Sequence, residues 1–66
     1  MEIVLNGQPR SLDGPVNIAE LIESLGFTGK RIAVERNGEI VPKSAHAQTM
    51  LAAGDRLEIV VAVGGG

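Results

Sequence analysis

Asn-Gly occurs twice in this chain, at Asn6-Gly7 and Asn37-Gly38, and each pair directly follows a short run of alternating apolar and polar residues. The dipeptide supplies the two positive-φ positions of a type I′ turn, whose twist matches that of the strands it joins, so each pair marks a β-hairpin. Before the first turn, Met1, Ile3 and Leu5 alternate with Glu2, Val4 and Asn6. That period of two predicts a half-buried strand. The return segment, Gln8 to Asp13, is weakly patterned and contains Pro9. Proline cannot donate to a ladder, which places this strand at a sheet edge. In the second hairpin, Ile32 and Val34 precede the turn, and a short strand with Ile40 runs to Pro42.

Between the hairpins, Ile18, Leu21, Ile22 and Leu25 fall at i, i+3, i+4 and i+7 and form one apolar stripe of a helix. Asn17 and Glu20 have the spacing of a capping box, and Val16 and Leu21 that of a hydrophobic staple. Gly26 suits the left-handed residue that closes a helix, with Phe27 placed to fold back on Ile22. The segment KSAHAQTMLAAG has no sustained period and predicts an irregular connection with at most one helical turn, leaving His46 on the surface. Gly54-Asp55 turns the chain into its longest strand. There Leu57, Ile59, Val61 and Val63 share one face, and Arg56, Glu58, Val60 and Ala62 the other.

The order hairpin, helix, hairpin, strand predicts an α+β fold: a mixed sheet of four to five strands with one helix packed on one face. The first and last strands are the most hydrophobic, which makes them central, parallel neighbours joined by a right-handed crossover through the helix. That arrangement is the ubiquitin-like β-grasp. One domain spans residues 1–63, and residues 64–66 form a flexible glycine tail.

Sixty-six residues hold a single small core, and the chain has no cysteine to brace it. Packing alone must hold it together, which fits a reducing, cytoplasmic setting. The lack of cysteine also excludes thiolate zinc sites, thiol nucleophiles and redox pairs from its chemistry. A net charge of −2 with interspersed signs argues against nucleic acid, as does a single aromatic residue, Phe27. No apolar run is long enough to span a bilayer, and Glu2 stands where a signal peptide carries positive charge. A free monomer is expected.

What remains is the ending, VVAVGGG. Glycines on a rigid central strand form a tether that carries a carboxylate into a channel any Cβ would obstruct. A carboxylate is a poor electrophile at neutral pH, so its use requires activation, as an acyl adenylate formed from ATP by a partner. The adenylate can then accept sulfur or an amine. The chain has no phosphate-cradling loop of its own, so it acts as a substrate and carrier rather than as an enzyme. No bound cofactor or metal is expected; the lone His46 has no companion ligands.

Over its whole length the chain resembles the ThiS family of small sulfur carriers in thiamine biosynthesis. The segments that carry the resemblance are IVLNGQ, RIAVERNGEIVPKS and AGDRLEIVVAVGGG. The resemblance implies that a ThiF-like enzyme adenylates Gly66, that a sulfur donor protein supplies the sulfur of a thiocarboxylate, and that a ThiG-like thiazole synthase receives it. Gly64 and Gly65 are then the threading segment. Many carriers of this type end in two glycines, so Gly64 is a departure that blurs which partner is served. The small subunit of molybdopterin synthase shares the tail but carries prolines shortly before it, and no proline follows Pro42 here.

On the face opposite the core, Val4, Val60 and Ala62 are expected to form an apolar patch beside the tail. With Arg56, Glu58 and Val63 they are the candidate partner-binding residues. Glu20, Glu23, Asp55 and Glu58 mark no concave acid–base site, and Lys30 and Lys43 are ordinary surface lysines unless modified. Three other roles stay open at this point: a sulfur carrier for molybdopterin synthesis, a protein modifier joined through Gly66 to lysines, and an interaction module whose glycines are only a frayed end.

Overall fold

The computed structural model describes residues 1–62. The strands are β1 (Glu2–Leu5), β2 (Gln8–Ser11), β3 (Ile32–Arg36), β4 (Glu39–Ile40) and β5 (Arg56–Val61), with one α-helix, α1 (Ile18–Ser24), between β2 and β3. They form a five-stranded sheet in the order β2-β1-β5-β3-β4. The first and last strands pair in parallel, Val4 against Arg56 and Leu5 against Leu57, while the remaining pairs are antiparallel. The strand expected to be central is central, and the Pro9 strand is an edge.

Both Asn-Gly pairs adopt the expected turns, with φ of 50° and 81° at Asn6 and Gly7, and of 52° and 86° at Asn37 and Gly38. β2 stops at Ser11 rather than reaching Asp13. Its partner begins at Glu2, so beyond the Leu12 N–H bond to the Met1 carbonyl there is no strand left to pair with.

The helix is closed at both ends as its sequence requires. Asn17 accepts from the Glu20 N–H at 2.8 Å while the Glu20 carboxylate accepts from the Asn17 N–H at 2.9 Å. At the other end Gly26, at φ 78°, lets its own N–H reach the Glu23 carbonyl and the Phe27 N–H reach that of Ile22. Those two bonds define a Schellman cap. The apolar stripe faces the sheet, where Ile18, Leu21 and Ile22 meet Ile3, Val34, Leu51, Leu57 and Ile59 in one cluster.

The segment after β4 differs from expectation. Lys43–Gln48 is a 3₁₀ helix packed against α1, and Leu51 beyond it enters the core at 5% exposure. Backbone bonds fix this stretch to the start of α1, from Ile18 N–H to the Thr49 carbonyl and from Leu51 N–H to the Val16 carbonyl. His46 is not a surface residue. It is buried, and its Nε2 donates to the Val41 carbonyl at 3.1 Å. The 3₁₀ period of three turns it inward, a register that an α-helical or strand template does not detect.

Candidate functional site

β5 is the element that leads to the chain's last residues, so its attachment decides how firmly they are presented. Along its first half it lies between β1 and β3. β1 turns away at Asn6, which leaves the backbone of Ile59 facing no strand on that side. The Asn6 carboxamide fills the gap: its oxygen accepts from the Ile59 N–H at 2.8 Å and its nitrogen donates to the Ile59 carbonyl at 3.2 Å. A side chain thus continues the ladder by one peptide equivalent.

Asn37 ties the other flank by a different pair of bonds. Its oxygen accepts from the Arg56 N–H at 2.9 Å, and its nitrogen donates to Asp55 Oδ1 at 3.1 Å. Both turns therefore need asparagine for two reasons, its tolerance of positive φ and its paired donor and acceptor. Glycine supplies only the first, and aspartate has no donor. Exchanging Asn6 for glycine keeps the turn accessible and removes only the carboxamide. The expected cost is about 1–2 kcal/mol for two hydrogen bonds. Hydrogen exchange checks it, with protection at Ile59 falling more than protection at Val34.

Asp55 anchors the start of β5. Its carboxylate is buried and accepts from Arg36 Nε at 2.9 Å, from the Ala52 N–H at 2.8 Å and from Asn37 Nδ2 at 3.1 Å. Burial alone would raise its pKa, but the Ala52 N–H, the Asn37 amide and the Arg36 guanidinium outweigh it and hold the pKa below the ordinary 3.8. A depressed folded-state pKa contributes stability that is complete above the unfolded value and is lost as pH falls through the folded one. The unfolding midpoint is therefore expected to drop on acidification below about pH 4. In an Asp55→Asn variant that acid limb should be shallower.

At its far end β5 is held by the Ile32–Val61 pair and by the Ala62 N–H, which donates to the Arg31 carbonyl at 2.8 Å. The strand is thus fixed from Asp55 to Ala62. Val63, Gly64, Gly65 and Gly66, the residues expected to dock, thread and react, lie outside the described residues.

Arg56, Glu58 and Val60 occupy the open face of the sheet, alternating with buried Leu57 and Ile59, and Ala62 beyond them is also exposed. The register separates Val4 from Val60. Val4 pairs with Arg56, four residues earlier on β5, or roughly 13 Å away at strand rise. The cross-strand neighbour of Val60 is Ala33, and Glu58 stands opposite Glu35, which in turn pairs with Ile40 on β4. The apolar part of this face is therefore centred on Val60, 62% exposed, with exposed Ala33 across from it, and Val4 sits apart. Among the described residues, no group of three His, Cys, Asp or Glu side chains could hold a metal ion, and no helix is long and apolar enough to cross a membrane.

A parallel pair of terminal strands at the centre of a mixed sheet, crossed by one helix, defines a β-grasp domain, here with its central strand running toward a run of glycines. The ThiS family profile matches residues 3–66, and the chain belongs to the ThiS family. The crystal structure of the thiamine biosynthesis protein ThiS from Geobacter metallireducens superposes with a TM-score of 0.84 at 33% identity, covering all of both chains. A thiazole synthase of Paramagnetospirillum magneticum is 46% identical over 66 residues, all of this chain and 20% of that protein. The protein ycf40 of Pyropia yezoensis is 35% identical over 66 residues, with 93% of its length covered. The chain thus spans one fifth of the curated thiazole synthases it matches.

Proposed function

We propose that this chain is a sulfur carrier for the thiazole ring of thiamine and that its reacting atom is the carboxyl carbon of Gly66. The observation that carries the proposal is the central strand, held by β3 as far as Val61 and on its other flank by β1 and Asn6 as far as Ile59, in a ThiS-family chain whose sequence runs on through Ala62 and Val63 to Gly64-Gly65-Gly66. A ThiF-like partner uses ATP. A Gly66 carboxylate oxygen attacks the α-phosphorus, pyrophosphate leaves, and the acyl adenylate forms. A sulfide equivalent from a sulfur donor protein then attacks the carboxyl carbon and displaces AMP, leaving a thiocarboxylate.

The chain is a substrate in both steps and supplies no catalytic group. It carries no cofactor and acts in the cytoplasm as a monomer between encounters. Delivery to a ThiG-like thiazole synthase is supported by the relatives of that name, in which a domain like this one makes up a fifth of the chain. Partner contact falls to the open face around Val60, Arg56, Glu58 and Ala62, with Val4 and Val63 at its margins.

Intact-mass measurement of the protein from its native host, grown without thiamine, tests the proposal. The expected result is a mass gain equal to one oxygen exchanged for sulfur, localised to Gly66. Ladders of larger conjugates would instead identify a protein modifier, and an unaltered terminus would identify an interaction module.

A further inference from the structure

The molecule has a second feature, at the end of the sheet where β5 leaves it. Between the C-terminal end of α1, the loop 27–31 and the 3₁₀ helix lies a cleft of about 540 Å³. Its floor is apolar, formed by Ile22, Phe27 and Ile32, and Lys30, Arg31 and Lys43 stand exposed around it. These are three of the six cationic side chains of a chain whose net charge is −2. Glu23 is the one acid among the lining residues. Among the described residues the one salt bridge is Arg36–Asp55, and no carboxylate among them lies within 4.0 Å of the three cleft cations.

The position of the cleft gives this charge a meaning. The Arg31 carbonyl accepts from the Ala62 N–H, and Ile32 pairs with Val61, so the cleft rim stands where β5 passes into the tail. An active site that takes the tail from the helix side of the sheet brings its outer wall against this rim. Four residues follow Ala62, a reach of about 14 Å when extended. That exceeds the length of an arginine side chain and the screening length of about 8 Å at physiological salt. Lys30 and Arg31 therefore act on the wall around the channel mouth and not on the reacting carboxyl group.

We propose that this cleft seats an acidic rim of the activating enzyme, an apolar side chain entering between Phe27 and Ile32 with carboxylates meeting Lys30, Arg31 and Lys43. The proposal rests on the carrier function above. Among the enzymes that handle the tail, the activating one is favoured because charge complementarity raises encounter rate more than lifetime. That suits a partner that must capture the carrier, activate it and let it go.

The test is carrier-dependent ATP–pyrophosphate exchange by the activating enzyme, at low and high salt. The double variant Lys30→Glu with Arg31→Glu is expected to raise KM for the carrier about tenfold or more at low salt, with kcat unchanged and the gap narrowing at high salt. Replacing Glu23 with Gln should lower KM. Unchanged unfolding midpoints show that the exposed substitutions leave the fold intact.

If wild-type carrier supports exchange and the double variant matches its KM, the inference falls and the carrier function stands. A loss confined to kcat, weakened binding to thiazole synthase alone, or loss of a self-associated dimer also overturns it. If wild-type carrier supports no exchange, both fall.

Discussion

Deleting Gly66 is expected to reduce thiocarboxylate formation at least about a hundredfold while leaving the domain folded. The truncated chain still ends in glycine and still has a carboxylate, so the chemistry of the end is unchanged. Its position is not. One residue fewer retracts the reacting carbon by about 3.5 Å, and a misplacement of 1 Å can cost about a hundredfold in a reaction that depends on alignment. Stability should change by less than about 0.5 kcal/mol, because the core cluster is drawn from residues between Ile3 and Ile59. Intact mass after incubation with the activating enzyme, ATP and a sulfur source reads the first effect, and thermal unfolding reads the second. Full transfer by the truncated chain, or its unfolding, would remove the basis for a tethered reactive end.

The second large effect belongs to Asp55. Replacing it with alanine leaves Arg36 Nε, the Ala52 N–H and Asn37 Nδ2 without their shared acceptor at a site where the carboxylate is buried. Truncating one partner of a buried charged network costs about 3 kcal/mol or more. A domain this small has a total stability of only about 3–5 kcal/mol. The variant is therefore expected to be largely unfolded near body temperature, with a midpoint lowered by roughly 15 °C. Circular dichroism against temperature reads this directly. Asp55→Asn, which keeps one acceptor oxygen, should fall between the two; a midpoint for Asp55→Ala within a few degrees of wild type would show that the node contributes little.

Those two residues differ in how plainly the sequence displays them. The glycines stand out in the sequence itself, as a side-chain-free run following a strand pattern. Asp55 looks like an ordinary turn residue, since its partners lie 18 and 19 positions away in the chain. The same contrast runs through the fold. The turns at Asn6 and Asn37, the caps of α1 and the alternation of β5 are local signals, and the structure agrees with each of them.

His46, Leu51 and the second task of both asparagines depend on what the folded chain brings alongside, and no periodicity announces them. One clue was available: both turns use asparagine first, where glycine also satisfies the backbone. The patch on the open face shows the limit from another side. Alternation correctly assigned Val4 and Val60 to one face, but only the register shows that they stand apart.

The sheet order has a consequence for the making of the protein. β5 is the last strand of the described domain and also its middle strand, pairing with β1 more than fifty positions earlier. A nascent chain halted before Arg56 holds two hairpins with nothing to join them, and exposes the helix stripe they would cover. Contacts of such long separation form late, and unfinished sheets of this kind are removed by proteolysis or aggregate. A product that ends before β5 thus lacks both the strand that completes the sheet and the glycine run that follows it in sequence.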